Sequence, residues 1–141
     1  MHPLIRNVLS IFAGTFVAII LIGVLQALAH SIYPPPPGTD FSDPQVLAEL
    51  MMKAPVGALL LVLLSYAVGT FVGSAVAARL SHHEGPLRQG LFVGVLMLIA
   101  GIMNLKAIPH PLWFWVGCIG VFIWTGWFGA QTGCALRPQA R

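Results

Sequence analysis

The sequence predicts an all-α polytopic membrane protein: a four-transmembrane-helix bundle with an amphipathic helix in its outer loop. The first observation is composition, since 57% of the 141 residues are hydrophobic and 8% are charged, against about 25% charged in soluble domains. The second is the mean hydropathy of +0.87. The third is charge placement, because charges flank four apolar runs and avoid their centres. A single membrane domain over residues 1–141 follows.

Each apolar run is long enough for a bilayer core about 30 Å thick, which needs about 20 helical residues. Tyr33 and the prolines at 34–37 end the first span, because proline lacks a backbone N–H and disfavours helix in the residue before it. Pro55 is expected in the first turn of the second span. The first run exceeds a signal-peptide core, so a retained span is expected. The predicted spans cover about residues 7–32, 55–80, 86–107 and 111–136.

The basic residues predict the orientation of these spans. Lys53 and Lys106 fall on one side, and the other side holds Arg6, Arg79, Arg88, Arg137 and Arg141. The positive-inside rule therefore places both termini in the cytoplasm of a bacterium, with the protein multi-pass in the inner membrane. The same scatter of basic residues, with no cluster on one face, argues against a nucleic-acid partner.

The loop over residues 33–54 is the only long connection between spans. It begins with a stiff polyproline segment, and Ser42 is expected to cap a short helix with Pro44 in its first turn. One face of that helix is apolar, which indicates either a helix on the outer membrane surface or a helical lead-in to the second span. The apolar face consists of Val46, Leu47, Leu50 and Met51.

Small residues recur at helical spacing in the second and fourth spans. Such residues allow helix backbones to approach closely, which lipid alone does not favour. They indicate either packing inside one bundle or an interface with a second copy or a larger membrane assembly. The predicted packing residues are Ser65, Gly69, Gly73, Ala77, Gly126, Gly129 and Gly133.

Uncharged polar residues gather at the outer ends of the spans. They either anchor the helices at the headgroups or form a pocket for a headgroup, a quinone-like molecule or a small polar ligand. Tyr66 and Gln131 each suit one interhelical hydrogen bond. The candidate ligand-binding residues are Gln26, His30, Tyr33, Asn104, Lys106, His110 and Trp113.

No metal or cofactor is expected. His30 and His110 have no Cys, Asp or Glu at helical spacing, and the turn with His82, His83 and Glu84 suits solvated side chains. Cys118 and Cys134 would lie about 24 Å apart on one helix, too far for a disulfide.

Several motifs together resemble a group of small bacterial four-helix inner-membrane proteins. They are the Tyr-Pro-Pro-Pro-Pro-Gly run at 33–38 with Asp43 soon after, the small-residue segment 69–79, and Asn104 followed by Pro-His-Pro-Leu-Trp-Phe at 109–114. The resemblance covers most of the chain. It implies a four-helix membrane fold and carries no assigned activity.

The favoured function is that of a non-catalytic membrane protein, packing with itself as a homo-oligomer or serving as an accessory subunit of a larger complex in membrane lipid. The first alternative is binding or transport of a small neutral or lipidic solute at the outer interface. The second is a redox or lipid-modifying enzyme centred on His30, Asn104 and His110. An ion-coupled pump is disfavoured, because no charged residue lies near the middle of a span.

Overall fold

A computed structural model describes residues 2–82 and 85–137, and every regular element in these ranges is a helix. His83, Glu84 and Arg141, used above for the turn and the orientation, lie outside the described residues. All but α2 are long and apolar enough to cross a membrane, which confirms the all-α class and the candidate spans. The helices are α1 (Pro3–Ile32), α2 (Pro44–Lys53), α3 (Val56–Leu80), α4 (Pro86–Ala107) and α5 (Leu112–Ala135).

A proline lies at the start of each helix, and three of the long helices start at a different residue from the one predicted. Helix α1 begins at Pro3, four residues early, with the His2 side chain accepting a hydrogen bond from the Leu4 amide. Pro55 and Pro111 were expected inside the second and fourth spans, but each precedes its helix as the N-cap. Their ψ angles of 142° and 146° are extended, so the helices begin one residue later.

The cap of α2 is Asp43, and the prediction of Ser42 was wrong. The Asp43 carboxylate accepts from the Gln45 amide at 2.8 Å, whereas the Ser42 amide donates to Asp40. Pro44 takes the first helical position and disfavours helical backbone in the residue before it. Asp43 therefore marks the point where extended chain meets helix.

Helix α3 is the centre of the structure, packing against α1, α4 and α5. Helices α4 and α5 also pack together, as the short connection between them predicts. The closest approaches are at glycines: a Cβ on Gly73 would overlap Gly14 and Ala18 of α1, and one on Gly129 would overlap the Phe71 backbone. All of the predicted packing residues are buried: Ser65, Gly69, Gly73, Ala77, Gly126, Gly129 and Gly133.

The turn between α3 and α4 is tied to both terminal segments, and we call this region the arginine end. Arg6 donates to the Leu80 carbonyl at 3.0 Å, and Arg137 donates to the Ser81 carbonyl at 2.8 Å. These carbonyls end α3 and lack partners within the helix, and cations there also suit its dipole. The turn is completed by a hydrogen bond from the His82 amide to Asn7, at 2.7 Å.

Candidate functional site

A cavity of about 750 Å³ lies at the opposite end of the molecule from the arginine end. We call it the pocket, and this region the pocket end. Helices α1, α3 and α4 form its walls, and the prolines at 34–36 together with α2 form its roof. Its volume is within the range of small-molecule sites in proteins.

The pocket is deep and mostly apolar. Along α3 its lining runs from Pro55 to Tyr66, about 16 Å at 1.5 Å per residue. That depth is about half of a 30 Å hydrocarbon core. Leu59, Val62 and Ile108 supply the apolar walls between the roof and the floor.

The floor of the pocket is polar and draws on three helices. The Asn104 side-chain amide on α4 donates to the Tyr66 hydroxyl on α3 at 3.2 Å, and Gln26 on α1 interacts with the same hydroxyl. Because the Tyr66 oxygen accepts from Asn104, its own proton is directed to a second acceptor, which is either the Gln26 carbonyl oxygen or a ligand. The interhelical bond expected of Tyr66 is thus made to Asn104.

A stack of small and aromatic residues positions the Tyr66 ring. The Phe122 ring lies 5.1 Å from it, centroid to centroid, tilted by 31°. Phe122 in turn packs on Gly101, where a Cβ would overlap its ring. Gly101 therefore determines where Phe122 and Tyr66 lie.

His110 stands at the mouth of the pocket as a neutral acceptor. Its Nδ1 lies 2.6 Å from the Ile108 carbonyl, and its ring stacks on Phe114. A carbonyl only accepts, so Nδ1 carries the proton and Nε2 is left as an acceptor. Burial lowers the pKa of His110, and the Ile108 carbonyl opposes this in part. The ring is therefore neutral at pH 7.

The roof brings the apolar side of α2 over the pocket. Val46, Leu50 and Met51, for which the sequence suggested either a membrane-surface helix or a lead-in to the second span, line the cavity. Glu49 and Lys53 lie at its rim and pair at 3.2 Å, both well exposed. An exposed pair contributes little stability, but it leaves the rim with no net charge.

Five predicted ligand-binding residues come together here: Gln26, His30, Tyr33, Asn104 and His110 line the pocket. Lys106 does not, because two residues beyond Asn104 a helix has turned by about 200°, and its side chain is exposed. Trp113 does not either, since the adjacent Phe114 takes the buried position on α5.

The sequence did not reveal the roof or the apolar walls, because generic apolar residues carry no mark of a cavity. Among the described residues there is no group of three or more His, Cys, Asp or Glu suited to a metal. Cys118 and Cys134 are free, as their spacing predicted, and Gln131 is exposed on α5.

No protein-family model matches this chain, and neither a curated protein nor a solved structure shows detectable similarity to it. The resemblance carried by the polyproline and Pro-His-Pro-Leu-Trp-Phe motifs therefore remains a prediction without support from these comparisons. The functional argument rests on the pocket itself.

Proposed function

We propose that this protein is a four-helix bundle of the bacterial inner membrane that binds a neutral lipidic molecule in the pocket. The observation that carries the proposal is the convergence of Gln26, Tyr66 and Asn104, from three helices, on the floor of an apolar cavity. A polar floor under apolar walls suits an amphipathic molecule whose polar atoms fix its orientation.

The distribution of basic residues supports an orientation with the arginine end in the cytoplasm. Arg6, Arg79, Arg88 and Arg137 lie at that end, and Lys53 and Lys106 lie at the pocket end. Under the positive-inside rule the pocket then opens in the outer leaflet. Its depth matches the thickness of that leaflet's hydrocarbon layer.

The electrostatics of the pocket favour a ligand without net charge. The rim charges Glu49 and Lys53 neutralise each other, and the half-buried His110 ring is neutral. A charged headgroup inside the cavity would lose its water without meeting an opposite charge, which is costly. The Tyr66 proton and His110 Nε2 instead suit the carbonyl and hydroxyl groups of an uncharged headgroup.

The location of the cavity favours entry from the bilayer. Helices α1 and α4 flank it, and both carry exposed apolar side chains that suit contact with lipid, including Leu28 and Met103. A lipidic molecule could therefore pass sideways between α1 and α4 to the floor.

Assembly through the glycine faces has less support than ligand binding. The predicted small-residue positions are buried, and glycines among them contact other helices of this same chain. Gly69 and Gly73 of α3 pack against α1, and Gly129 and Gly133 of α5 pack against α3. A partner would have to use a different surface, such as the exposed α5 side chains of Trp124 and Trp127.

Native mass spectrometry from phosphatidylcholine nanodiscs tests the proposal. Dioleoylglycerol, which is neutral, and dioleoylphosphatidylglycerol, which is anionic, are added in equal amounts. We expect dioleoylglycerol to be retained in excess over the anionic lipid, and the Asn104→Leu variant to lose that excess. Thr125→Val, which removes a hydroxyl that lies outside the pocket and donates within α5, is the matched control. Equal retention by wild type and Asn104→Leu would refute the pocket as the site.

A further inference from the structure

Residues 34–54, which include α2, are attached to the rest of the molecule differently from every other element. Among the described residues, all hydrogen bonds and ion pairs of this segment stay inside it. The backbone of α2 comes close to none of the other helices, and none of its residues is fully buried. In the part of the chain that the structure describes, no polar contact fixes the segment over the pocket.

The contacts that hold the segment in place are apolar and face the pocket. Val46, Leu50 and Met51 line the cavity from above, and Met51 and Ala54 also pack against the apolar core. These side chains would meet water if α2 moved away. Apolar contacts are non-directional, so they keep the segment in place without dictating one position.

The segment has a joint at each end of the part that covers the pocket. Gly38 follows the polyproline run with a φ of 81°, in the left-handed region that favours glycine, and a Cβ there would meet open space. Ala54 has a ψ of 135° before Pro55, so α2 is not continuous with α3. Between these joints α2 is a capped helix that can move as one unit.

We propose that α2, with the loop that follows Gly38, is a lid that swings at Gly38 and Ala54 and closes when a lipidic ligand fills the pocket. This inference rests on the proposed function. A ligand under the roof gives Val46, Leu50 and Met51 an apolar surface to cover. Ligand binding therefore selects the closed position, since it stabilises that position over the open one.

Spin-label distance measurements test the lid in nanodiscs, in a background with Cys118→Ala and Cys134→Ala. The test pair is Met52→Cys on α2 with Val116→Cys on α5, exposed by 62% and 67%. The control pair replaces Met52→Cys by Leu60→Cys on α3, which is 52% exposed. We expect a broad distance distribution for the test pair that narrows at least twofold with saturating dioleoylglycerol. The control pair should be narrow and unchanged.

Native mass spectrometry of the same samples separates the two proposals. If dioleoylglycerol is retained while the test pair stays unchanged, the roof is rigid and the lid is refuted, but the binding function stands. If dioleoylglycerol is not retained, the binding function fails and the lid fails with it as a ligand-driven closure. The lid is also refuted if, without ligand, the distance distribution of the test pair is as narrow as that of the control pair.

A proline variant provides an independent readout of the joint at Ala54. Pro55→Ala restores a backbone N–H and removes the bias against helix at Ala54, so α2 is expected to continue into α3. We expect the Met52–Val116 distribution to shift to a new, narrow distance that dioleoylglycerol no longer changes. Pro86→Ala, at the start of α4 in the arginine end, is the control and should leave the distribution as in wild type. An unchanged response in Pro55→Ala would contradict the hinge.

Discussion

The two ends of this molecule are built by opposite means. At the arginine end, Arg6 and Arg137 reach from the two terminal segments to backbone carbonyls at the end of α3. At the pocket end, Asn104 donates across helices to Tyr66, and among the described residues no hydrogen bond or ion pair joins the roof to the other helices. Directional bonds to backbone fix a single geometry, whereas apolar contacts permit local opening.

Connection length explains part of this contrast. The turn after Leu80 is short and brings α4 back beside α3. The carbonyls of Leu80 and Ser81 therefore lie within reach of both terminal segments. The connection from Ile32 to Pro44 is long and begins with prolines, which cannot donate to a neighbouring backbone. The chain therefore leaves α1 without pinning α2 to the bundle, and a cavity remains beneath it.

The largest expected effect comes from breaking the contact between α1 and α3, on which both ends depend. Gly73→Leu places a side chain where Gly14 and Ala18 already lie. Overpacking costs about 1–3 kcal/mol, and a clash with backbone belongs at the upper limit. We expect a large fall in melting temperature and aggregated protein in size-exclusion chromatography. Gly23→Leu, which has open space around it on α1, should behave as wild type.

Arg137→Ala should destabilise the arginine end and leave the pocket intact. It removes bonds to the Ser81 and His82 carbonyls, and hydrogen bonds to charged groups contribute about 1.5–3 kcal/mol. We expect a lower melting temperature with unchanged retention of dioleoylglycerol. Arg79→Ala, in an exposed residue of the same end, is the control. Loss of lipid retention in Arg137→Ala would show that the two ends are coupled.

The sequence predicted these ends unequally. Hydropathy and proline placement located the four long helices, because lipid demands long apolar helices and proline limits where they begin. The basic residues marked the arginine end, but not the carbonyls they bind. Gln26, His30 and Asn104 were identified as candidates at one depth, since polarity in a span is rare.

The sequence did not predict which faces of the helices pack against one another. Asn104 and Lys106 are two residues apart, yet Asn104 lines the pocket and Lys106 does not. Which face of a nearly uniform apolar helix meets its neighbours depends on packing, and here on where Gly73, Gly94 and Gly129 allow close approach. The roof was missed for the same reason, because the position of α2 follows from the space left beneath it.

Gly101→Ala should weaken the pocket and spare the arginine end. The added Cβ overlaps the Phe122 ring, so Phe122 must shift and displace Tyr66 from Asn104. Loss of a neutral hydrogen bond costs about 0.5–1.5 kcal/mol, which predicts a fall in dioleoylglycerol affinity of about two- to tenfold. Gly120→Ala, with open space around it, should keep full affinity. Wild-type affinity in Gly101→Ala would show that Tyr66 does not depend on this stack.

The smallest expected effect is a pH dependence confined to the pocket end. Burial lowers the pKa of His110 from its usual value, so the ring stays neutral above about pH 6.5 and protonates only in more acidic solution. Protonation removes the Nε2 acceptor and adds charge to an apolar site. Affinity for dioleoylglycerol should therefore fall about fivefold below that pKa, equivalent to one neutral hydrogen bond of about 1 kcal/mol.

The same lowered pKa has a consequence for stability. The unfolded chain binds a proton at His110 more readily than the folded chain does. The contribution of neutral His110 to the free energy of unfolding is therefore complete above the unfolded pKa and declines as the pH falls through it.

His110→Gln should bind dioleoylglycerol with an affinity that no longer varies between pH 7.5 and 5, whereas His30→Gln should keep the variation. If both variants keep it, the titrating group lies elsewhere, and the mouth of the pocket does not use His110 as an acceptor.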